Sequence, residues 1–285
     1  MLDSNDMKSN IGIKNFSLIL SLVTFAACAG SLPVWAQNSD RLTPTQREIE
    51  RQRQRLSSTE IEERRDALMR LGNLKRPDAS RAAAAALNDE SPTVRVAATH
   101  AVLSLPSSEA ASLLIPLLKD KQEFVRREVA FALGKTRDRS ATIPLVDLLL
   151  HDKKPSVRGA AAVALGHLGD EAAVATLSQI VSGSDSKKKK AKSFEEEFVV
   201  RSAVRSLGQI GSRTSVPILI SALQQETNSI DTRREAATAL GAIGDPSALS
   251  ALQTALQSHT DPYLAEAARL AIRQINRPKA KGAGN

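Results

Sequence analysis

KPSVRGAAAVALGHLGD, residues 154–170, is the stretch that decides the fold. Its apolar residues fall at offsets 0, 3, 4, 7, 8 and 11 from the valine, which places them on one face of a helix. Two glycines then weaken the helix, and a second apolar period follows. The unit is therefore predicted to be helix, turn, helix. The residues concerned are Val157, Ala160, Ala161, Ala164, Leu165 and Leu168, then Gly166 and Gly169, then Val174, Leu177, Ile180 and Val181.

The same pattern recurs along the chain. A small residue followed four places later by a large aliphatic one occurs seven times, at spacings of 31, 31, 32, 42, 33 and 32 residues. A fixed period in this range is typical of a repeat array. The pairs are Ala67/Leu71, Ala98/Val102, Val129/Leu133, Ala161/Leu165, Ala203/Leu207, Ala236/Leu240 and Ala268/Ile272.

Other copies of the first helix are SPTVRVAATHAVLSL from Ser91, QEFVRREVAFALGKT from Gln122 and TRREAATALGAIGD from Thr232. These copies resemble the HEAT repeat, in the variety found in phycobilisome lyases, over roughly residues 58–276. The resemblance implies an all-α fold, an α-solenoid (armadillo-type superhelix) of about seven HEAT-like helix pairs. It also implies that second helices line the concave side. The stretches expected there are Ser108–Lys119, Ser140–His151, Glu171–Ser182 and Thr214–Gln225.

Composition agrees with a helical array. Hydrophobic residues make up 42% of the chain but aromatic residues only 3%, so alanine, leucine, valine and isoleucine must build the core. Small residues at the centre of each stripe let neighbouring helices approach closely. We therefore expect one elongated domain.

The N-terminal residues 1–36 are predicted to be a secretory signal peptide. Two lysines precede the uncharged stretch FSLILSLVTFAACAG, and Val34 and Ala36 are small residues that fit cleavage after Ala36. The apolar core of about 15 residues is short for a transmembrane span. A retained anchor is the alternative. A second alternative is a lipoprotein, because Phe25-Ala26-Ala27-Cys28 resembles a lipidation motif.

Residues 37–57 are polar and basic, and we interpret them as an N-terminal arm or a capping helix. Thr43 and Pro44 are predicted to begin a helix as N-cap and first residue. Ser57 and Glu60 are predicted to form a capping box for the first repeat. Residues 277–285 are expected to be a flexible tail.

The 42-residue spacing contains about ten additional residues within the stretch SGSDSKKKKAKSFEEE, and it predicts an exposed lysine-rich insertion near 183–194. A solvated loop, partly neutralised by its own glutamates, is one interpretation. The other is contact with an anionic partner, such as an acidic protein, a lipid headgroup or a nucleic acid. The lysines available for it are Lys187, Lys188, Lys189, Lys190 and Lys192.

An arginine recurs eight residues before the glycine position of five copies, and an aspartate lies six residues before three of these arginines. A ladder of arginines that binds phosphates or carboxylates is one hypothesis. We favour a structural ladder in which the guanidinium groups bond the aspartates and helix-end carbonyls at repeat junctions. The residues are Arg64, Arg95, Arg126, Arg158 and Arg233, with Asp89, Asp120 and Asp152.

No catalytic, cofactor-binding or metal-binding motif is recognisable, so we predict no enzyme activity and no cofactor. The four histidines are scattered, and the His-Glu motifs of the HEAT-repeat deoxyhypusine hydroxylases are missing. The sequence favours an exported, periplasmic or secreted scaffold or adaptor that binds a protein partner through its concave helical surface. The alternatives are a lyase-like or hydroxylase-like subunit that acts on a protein, and anionic-surface binding through the lysines.

Scarce aromatic residues argue against nucleic acid as the partner. Membrane contact is expected only through a lipidated Cys28 or through the lysine-rich insertion.

Overall fold

A computed structural model describes residues 42–183, 194–257 and 261–277, and the described residues form fourteen α-helices and no strand. Helix α1 (Pro44–Arg55) precedes the repeats. The first helices of the repeats are α2 (Ile61–Asn73), α4 (Pro92–Ala101), α6 (Glu123–Thr136), α8 (Pro155–Leu168), α10 (Phe194–Ile210), α12 (Ile230–Ile243) and α14 (Pro262–Asn276). The second helices are α3 (Pro77–Ala83), α5 (Ser107–Leu114), α7 (Thr142–His151), α9 (Val174–Ser182), α11 (Val216–Gln224) and α13 (Leu249–Leu256).

These helices stack as an α-solenoid, so the predicted fold class is confirmed. Within the described ranges there are six complete pairs and α14, a first helix that ends the array. Helix α1 packs on α2 and α3, in the place of a second helix from a preceding repeat. Each end of the array is therefore half a unit, as terminal capping elements of a solenoid usually are.

One apolar core runs through the array. The stripe predicted on α8, from Val157 to Leu168, is buried, and its second-helix counterparts Leu177 and Val181 pack against it. Leucine, valine and alanine make up the buried apolar residues, as the composition predicts. Each repeat contributes the same few side chains, so neighbouring repeats share one continuous interior.

The boundaries of the helices confirm one capping prediction and correct another. Thr43 is the N-cap of α1, with a capping box to Gln46, as the Thr-Pro pair indicates. The capping box expected from Ser57 and Glu60 is wrong, because α2 begins at Ile61 and has no side-chain cap. Instead the Ser58 hydroxyl accepts the Glu60 N–H at 3.1 Å.

Gly166 lies within its helix, as the stripe that extends to Leu168 requires. Helix α8 continues to Leu168 and ends at Gly169, whose φ of +64° is left-handed. Gly166 instead provides room for α10, since a Cβ added there would lie 2.6 Å from the Ser206 hydroxyl oxygen. The left-handed position three residues after the glycine column recurs in five repeats, at Lys75, Arg137, Gly169, Gly211 and Gly244.

Candidate functional site

The junctions between the first repeats are tied by arginines and aspartates. Nε and Nη2 of Arg64 donate to the two carboxylate oxygens of Asp89 at 2.8 and 2.9 Å. Arg95 makes the same bidentate pair with Asp120, at 2.7 and 2.9 Å. Arg126 pairs with Asp152 at 2.7 and 3.1 Å. Each arginine thus holds the carboxylate that lies 25 or 26 residues later, in the next junction.

The aspartate six residues before each arginine contributes its backbone. Nη1 of Arg95 donates to the Asp89 carbonyl at 2.8 Å, and Nη1 of Arg126 donates to the Asp120 carbonyl at 2.8 Å. One aspartate therefore bonds two arginines, one through its carboxylate and one through its carbonyl. The result is a continuous chain of hydrogen bonds from Arg64 to Arg158.

The same carboxylates also bond the backbone just before the helix that follows them. Asp120 Oδ1 accepts the Gln122 N–H and Asp152 Oδ1 accepts the Lys154 N–H, at 2.8 and 2.9 Å. Burial raises the pKa of Asp120, but hydrogen bonds from Arg95 and Gln122 and the charges of Arg95 and Arg126 outweigh it, so that the pKa is lowered. The pKa of Asp152 is lowered by the equivalent balance. These aspartates are held as carboxylates by their surroundings.

The geometry leaves these arginines little capacity for an external ligand. A guanidinium has five N–H donors, and Arg126 directs them at two carboxylate oxygens and two carbonyls. The side chains of Arg64 and Asp89 are only 7% and 12% exposed. Chemically the arrangement is a buried, internally paired set of charges, which suits a junction between repeats better than a phosphate site.

The ladder changes partner in the later repeats. Arg158 bonds the Asp152 carbonyl and the carboxylate of Glu196, at the start of α10. Val200 occupies the next arginine position. Arg233 donates Nε at 2.9 Å to the carbonyl of Leu223, in the last turn of α11.

The ladder resumes at a residue that sequence reasoning missed. Arg234, one place after the predicted Arg233, donates Nε and Nη2 to the carboxylate of Asp261 at 3.1 and 2.6 Å. Asp261 also accepts the Tyr263 N–H, as Asp152 accepts that of Lys154. The signal in the sequence is the aspartate, which lies two residues before the helix-opening N–H and 27 residues after its arginine.

The predicted lysine cluster, Lys187 to Lys190 and Lys192, lies outside the described residues. The loops at the two preceding junctions are described, and they are basic. Lys119 and Lys121 flank Asp120, and Lys153 and Lys154 follow Asp152. Because Arg126 bonds both the Lys121 carbonyl and the Asp152 carboxylate, these two loops lie side by side.

A metal-binding arrangement of three or more histidine, cysteine, aspartate or glutamate residues is not found in the described ranges. His100 lies 3.6 Å from Glu128, and burial lowers its pKa. His151 bonds Asp147 on its own helix. None of the helices in the described part of the chain is long and apolar enough to cross a membrane.

The two-helix unit, its period and its junctions are those of a known repeat. Residues 49–130, 111–195 and 191–273 match the family described as HEAT repeats. The chain belongs to the HEAT-repeat family. The resemblance to HEAT repeats seen in the sequence is thus confirmed across most of the chain. No curated protein matches the sequence.

Several solved structures are similar to this chain. YibA of Escherichia coli is 20% identical with a TM-score of 0.55, and the similarity covers 81% of this chain and 82% of that one. The CpcE–CpcF phycocyanin lyase complex of Nostoc sp. is 22% identical with a TM-score of 0.48, covering 93% and 100%. Human deoxyhypusine hydroxylase is 22% identical with a TM-score of 0.38, covering 80% and 96%. At these identities the similarity to YibA establishes the fold alone.

The two layers of HEAT helices differ in how closely they pack. A Cβ added at Gly134 would lie 2.8 Å from Ala164 Cα, and one added at Gly208 would lie 2.8 Å from Ala239 Cα. First helices of successive repeats therefore touch backbone to backbone. Second helices of successive repeats touch only sparingly. The first helices therefore form the more closely packed layer, and the second helices as the concave side stay a prediction.

A cleft of about 430 Å³ lies between two of the second helices predicted to carry the binding surface. Val181 and Ser182 of α9 line it on one side, and Ile218, Ser221 and Gln225 line it on the other. The cleft is therefore small and mixed in polarity.

Proposed function

We propose that this HEAT-repeat chain is an exported scaffold or adaptor that binds another protein along a helical face. The observation that carries the proposal is the internal pairing of its charged ladder. The arginines and aspartates that a ligand would need are bonded to each other at Arg64–Asp89, Arg95–Asp120 and Arg126–Asp152. What the array offers a partner is a long row of helix faces, and repeat arrays bind through such extended surfaces.

The test is affinity capture of the full-length chain from the cell envelope, followed by mass spectrometry. We expect one protein to be recovered reproducibly with the wild-type chain. The matched control is the Ala98→Asp variant, which places a charge in the fully buried core and collapses the array. A partner that is captured equally by both chains, or no reproducible partner at all, contradicts the scaffold proposal.

Export is part of the proposal and rests on residues 1–36. Their short apolar stretch and the small residues Val34 and Ala36 support a cleaved secretory signal. The alternative is that the exported chain is anchored to a membrane of the envelope through a lipidated Cys28. Either route places the repeats outside the cytoplasm.

A second candidate is contact with an anionic surface at the lysine-rich insertion. The observation in its favour is that Lys121 and Lys153 lie in the two preceding junction loops, which Arg126 holds side by side. The insertion occupies the next such loop in the repeat order. Replacing Lys187 to Lys190 by glutamine should then abolish co-sedimentation with anionic vesicles or retention by nucleic acid. Unchanged binding of the variant contradicts this candidate.

A further inference from the structure

Three consecutive second helices carry no charged residue. Their sequences are VATLSQIVS in α9, VPILISALQ in α11 and LSALQTAL in α13. Charged residues make up 25% of the whole chain, and the first helices α10, α12 and α14 contain five, four and three of them. The second helices α3, α5 and α7 each carry at least one. We call the surface of α9, α11 and α13 the uncharged strip.

The uncharged strip is continuous and open to solvent. Helix α9 contacts α11, and α11 contacts α13, so the three helices lie side by side. Charges return at the turns that precede these helices, where Arg213 Nε lies 3.6 Å from a carboxylate oxygen of Asp245. The exposed side chains of the strip include Ala175, Gln179, Ser221, Gln224, Gln253 and Thr254.

Helix stability does not explain why these exposed positions lack charges. Glutamate, lysine and arginine favour a helix about as much as glutamine does, and more than serine or threonine. Exposed charges also keep a protein surface soluble. The centre of a protein–protein interface is depleted of charged residues, because each of them would lose its hydration when the partner covers it. The composition of the strip is therefore that of a surface covered by another molecule.

A cleft of about 430 Å³ opens on this strip, between α9 and α11. Val181, Ile218 and Ala222 provide its aliphatic lining. Ser221 and Gln224 provide a hydroxyl and an amide, and within the described ranges neither side chain has a hydrogen-bond partner. Both groups can donate and accept hydrogen bonds without a charge. The cleft is many times larger than a water molecule, which occupies about 30 Å³, so side chains of a partner can enter it.

We propose that the uncharged strip binds an uncharged segment of a partner protein, with an aliphatic side chain in the cleft and the partner's backbone at Ser221 and Gln224. This inference rests on the proposed function, because it names the surface and the chemistry of the protein partner. A polypeptide offers apolar side chains together with uncharged backbone groups, which matches an aliphatic cleft with a hydroxyl and an amide at its rim. The phosphates of nucleic acids and lipids need cations, and the strip has none.

The first experiment is photo-crosslinking of the full-length chain in the cell that produces it. Benzoylphenylalanine replaces Ala175 or Gln253, which are exposed on the strip, in two separate variants that leave the cleft unchanged. Two matched variants carry it at Met69 or Thr238, which are exposed on first helices. We expect protein adducts from the two strip positions and none from the two first-helix positions. The attachment sites should lie in stretches of the partner that lack charged residues.

Each other outcome overturns the inference. Adducts from Met69 or Thr238 alone place the partner on the first helices and leave the scaffold proposal standing. Adducts from no position contradict both proposals. Adducts to peptides of this same chain identify a second copy or one of its own segments as the occupant. Adducts that a nuclease or a glycosidase removes identify a nucleic acid or a carbohydrate.

A second set of variants tests whether the bound segment is uncharged. Gln224→Glu and Gln224→Lys should each lower the adduct yield from position 253 about tenfold, because a charge of either sign would be desolvated without a counter-charge. Thr238→Glu and Thr238→Lys are the first-helix controls and should leave that yield unchanged. Circular dichroism and melting establish that each variant is folded. A yield that one sign lowers and the other raises identifies a charged partner surface and overturns the inference, as does a yield that neither sign changes.

The cleft has a separate test. Ser221→Phe places a ring at the cleft without entering the core, since Ser221 is exposed. It should lower the adduct yield from position 253 about tenfold, whereas the control Thr238→Phe should not. An undiminished yield from a folded Ser221→Phe chain overturns the role of the cleft.

Discussion

The Arg126 guanidinium holds the Asp152 carboxylate through two hydrogen bonds, Nε to Oδ2 at 2.7 Å and Nη2 to Oδ1 at 3.1 Å. The carboxylate belongs to the next junction, 26 residues later. The same guanidinium holds the Asp120 carbonyl of its own junction. One side chain thereby fixes the register between two repeats, and we expect its removal to destabilise both of them.

Arg126→Ala should therefore destabilise the array. Its removal leaves the buried Asp152 carboxylate without its partner, and hydrogen bonds to charged groups contribute about 1.5–3 kcal/mol. We expect a loss of that order in the free energy of unfolding, measured by urea denaturation and by melting temperature. The control is Arg70→Ala, whose side chain is 57% exposed and pairs with Asp66 on its own helix. A surface pair of this kind contributes about 0.5 kcal/mol. Equal melting of the two variants contradicts a structural ladder.

Gly134→Ala should destabilise the packing of α6 on α8. Alanine is favoured over glycine in a helix by about 1 kcal/mol, but its Cβ would lie 2.8 Å from Ala164 Cα. Forcing the two backbones apart should outweigh the gain by about 1–3 kcal/mol, the usual cost of overpacking. At Gly72 the corresponding distance to Ala101 Cα is 3.3 Å, so Gly72→Ala should cost less. Calorimetry of the two variants compares them directly, and a more stable Gly134→Ala chain would contradict the close approach.

Stability should fall in acid because of the ladder aspartates. The pKa values of Asp120 and Asp152 are lower in the folded chain than the ordinary value of 3.8. A lowered folded pKa contributes stability that is fully present above the unfolded pKa and is lost as pH falls through the folded pKa. The loss should therefore begin below about pH 4. In urea titrations across this range, Asp152→Asn should show a shallower dependence on pH than the wild type. Identical slopes would mean that other carboxylates cause the loss.

The mature protein should begin at Gln37. Cleavage after Ala36 removes Cys28 and Trp35, so the intact mass should be that of residues 37–285 and the product should lack cysteine and tryptophan. N-terminal sequencing and intact-mass measurement of the chain from its native envelope check this. A mass that corresponds to a lipid-modified Cys28 terminus would replace soluble export by membrane anchoring. An uncleaved Met1 would remove the basis for either.

The sequence predicts the fold well because the information is periodic. A stripe such as Val157 to Leu168 is buried in each repeat by the same physical requirement, so several weak copies reinforce one another. Details that depend on a single contact are harder to predict from the sequence. The pairing of Asp261 with Arg234 instead of Arg233 follows from which side chain reaches the carboxylate, and adjacent arginines look equivalent in a sequence.

Glycine is a second case in which local reasoning fails. Gly166 weakens an isolated helix, and that property alone does not explain why a glycine stands within α8. Its role is set by Ser206, which lies about forty residues later in the chain and packs where a Cβ would stand.

The aspartate that serves two arginines also determines how such a chain can change in length. A segment from Asp120 to the residue before Asp152 carries one carboxylate, one carbonyl and one guanidinium of the ladder. Duplicating or deleting that whole segment leaves every remaining donor and acceptor of the ladder with a partner. Deleting only part of the segment leaves a buried charge unpaired. Gain and loss of complete repeats are thus the tolerated steps for this array.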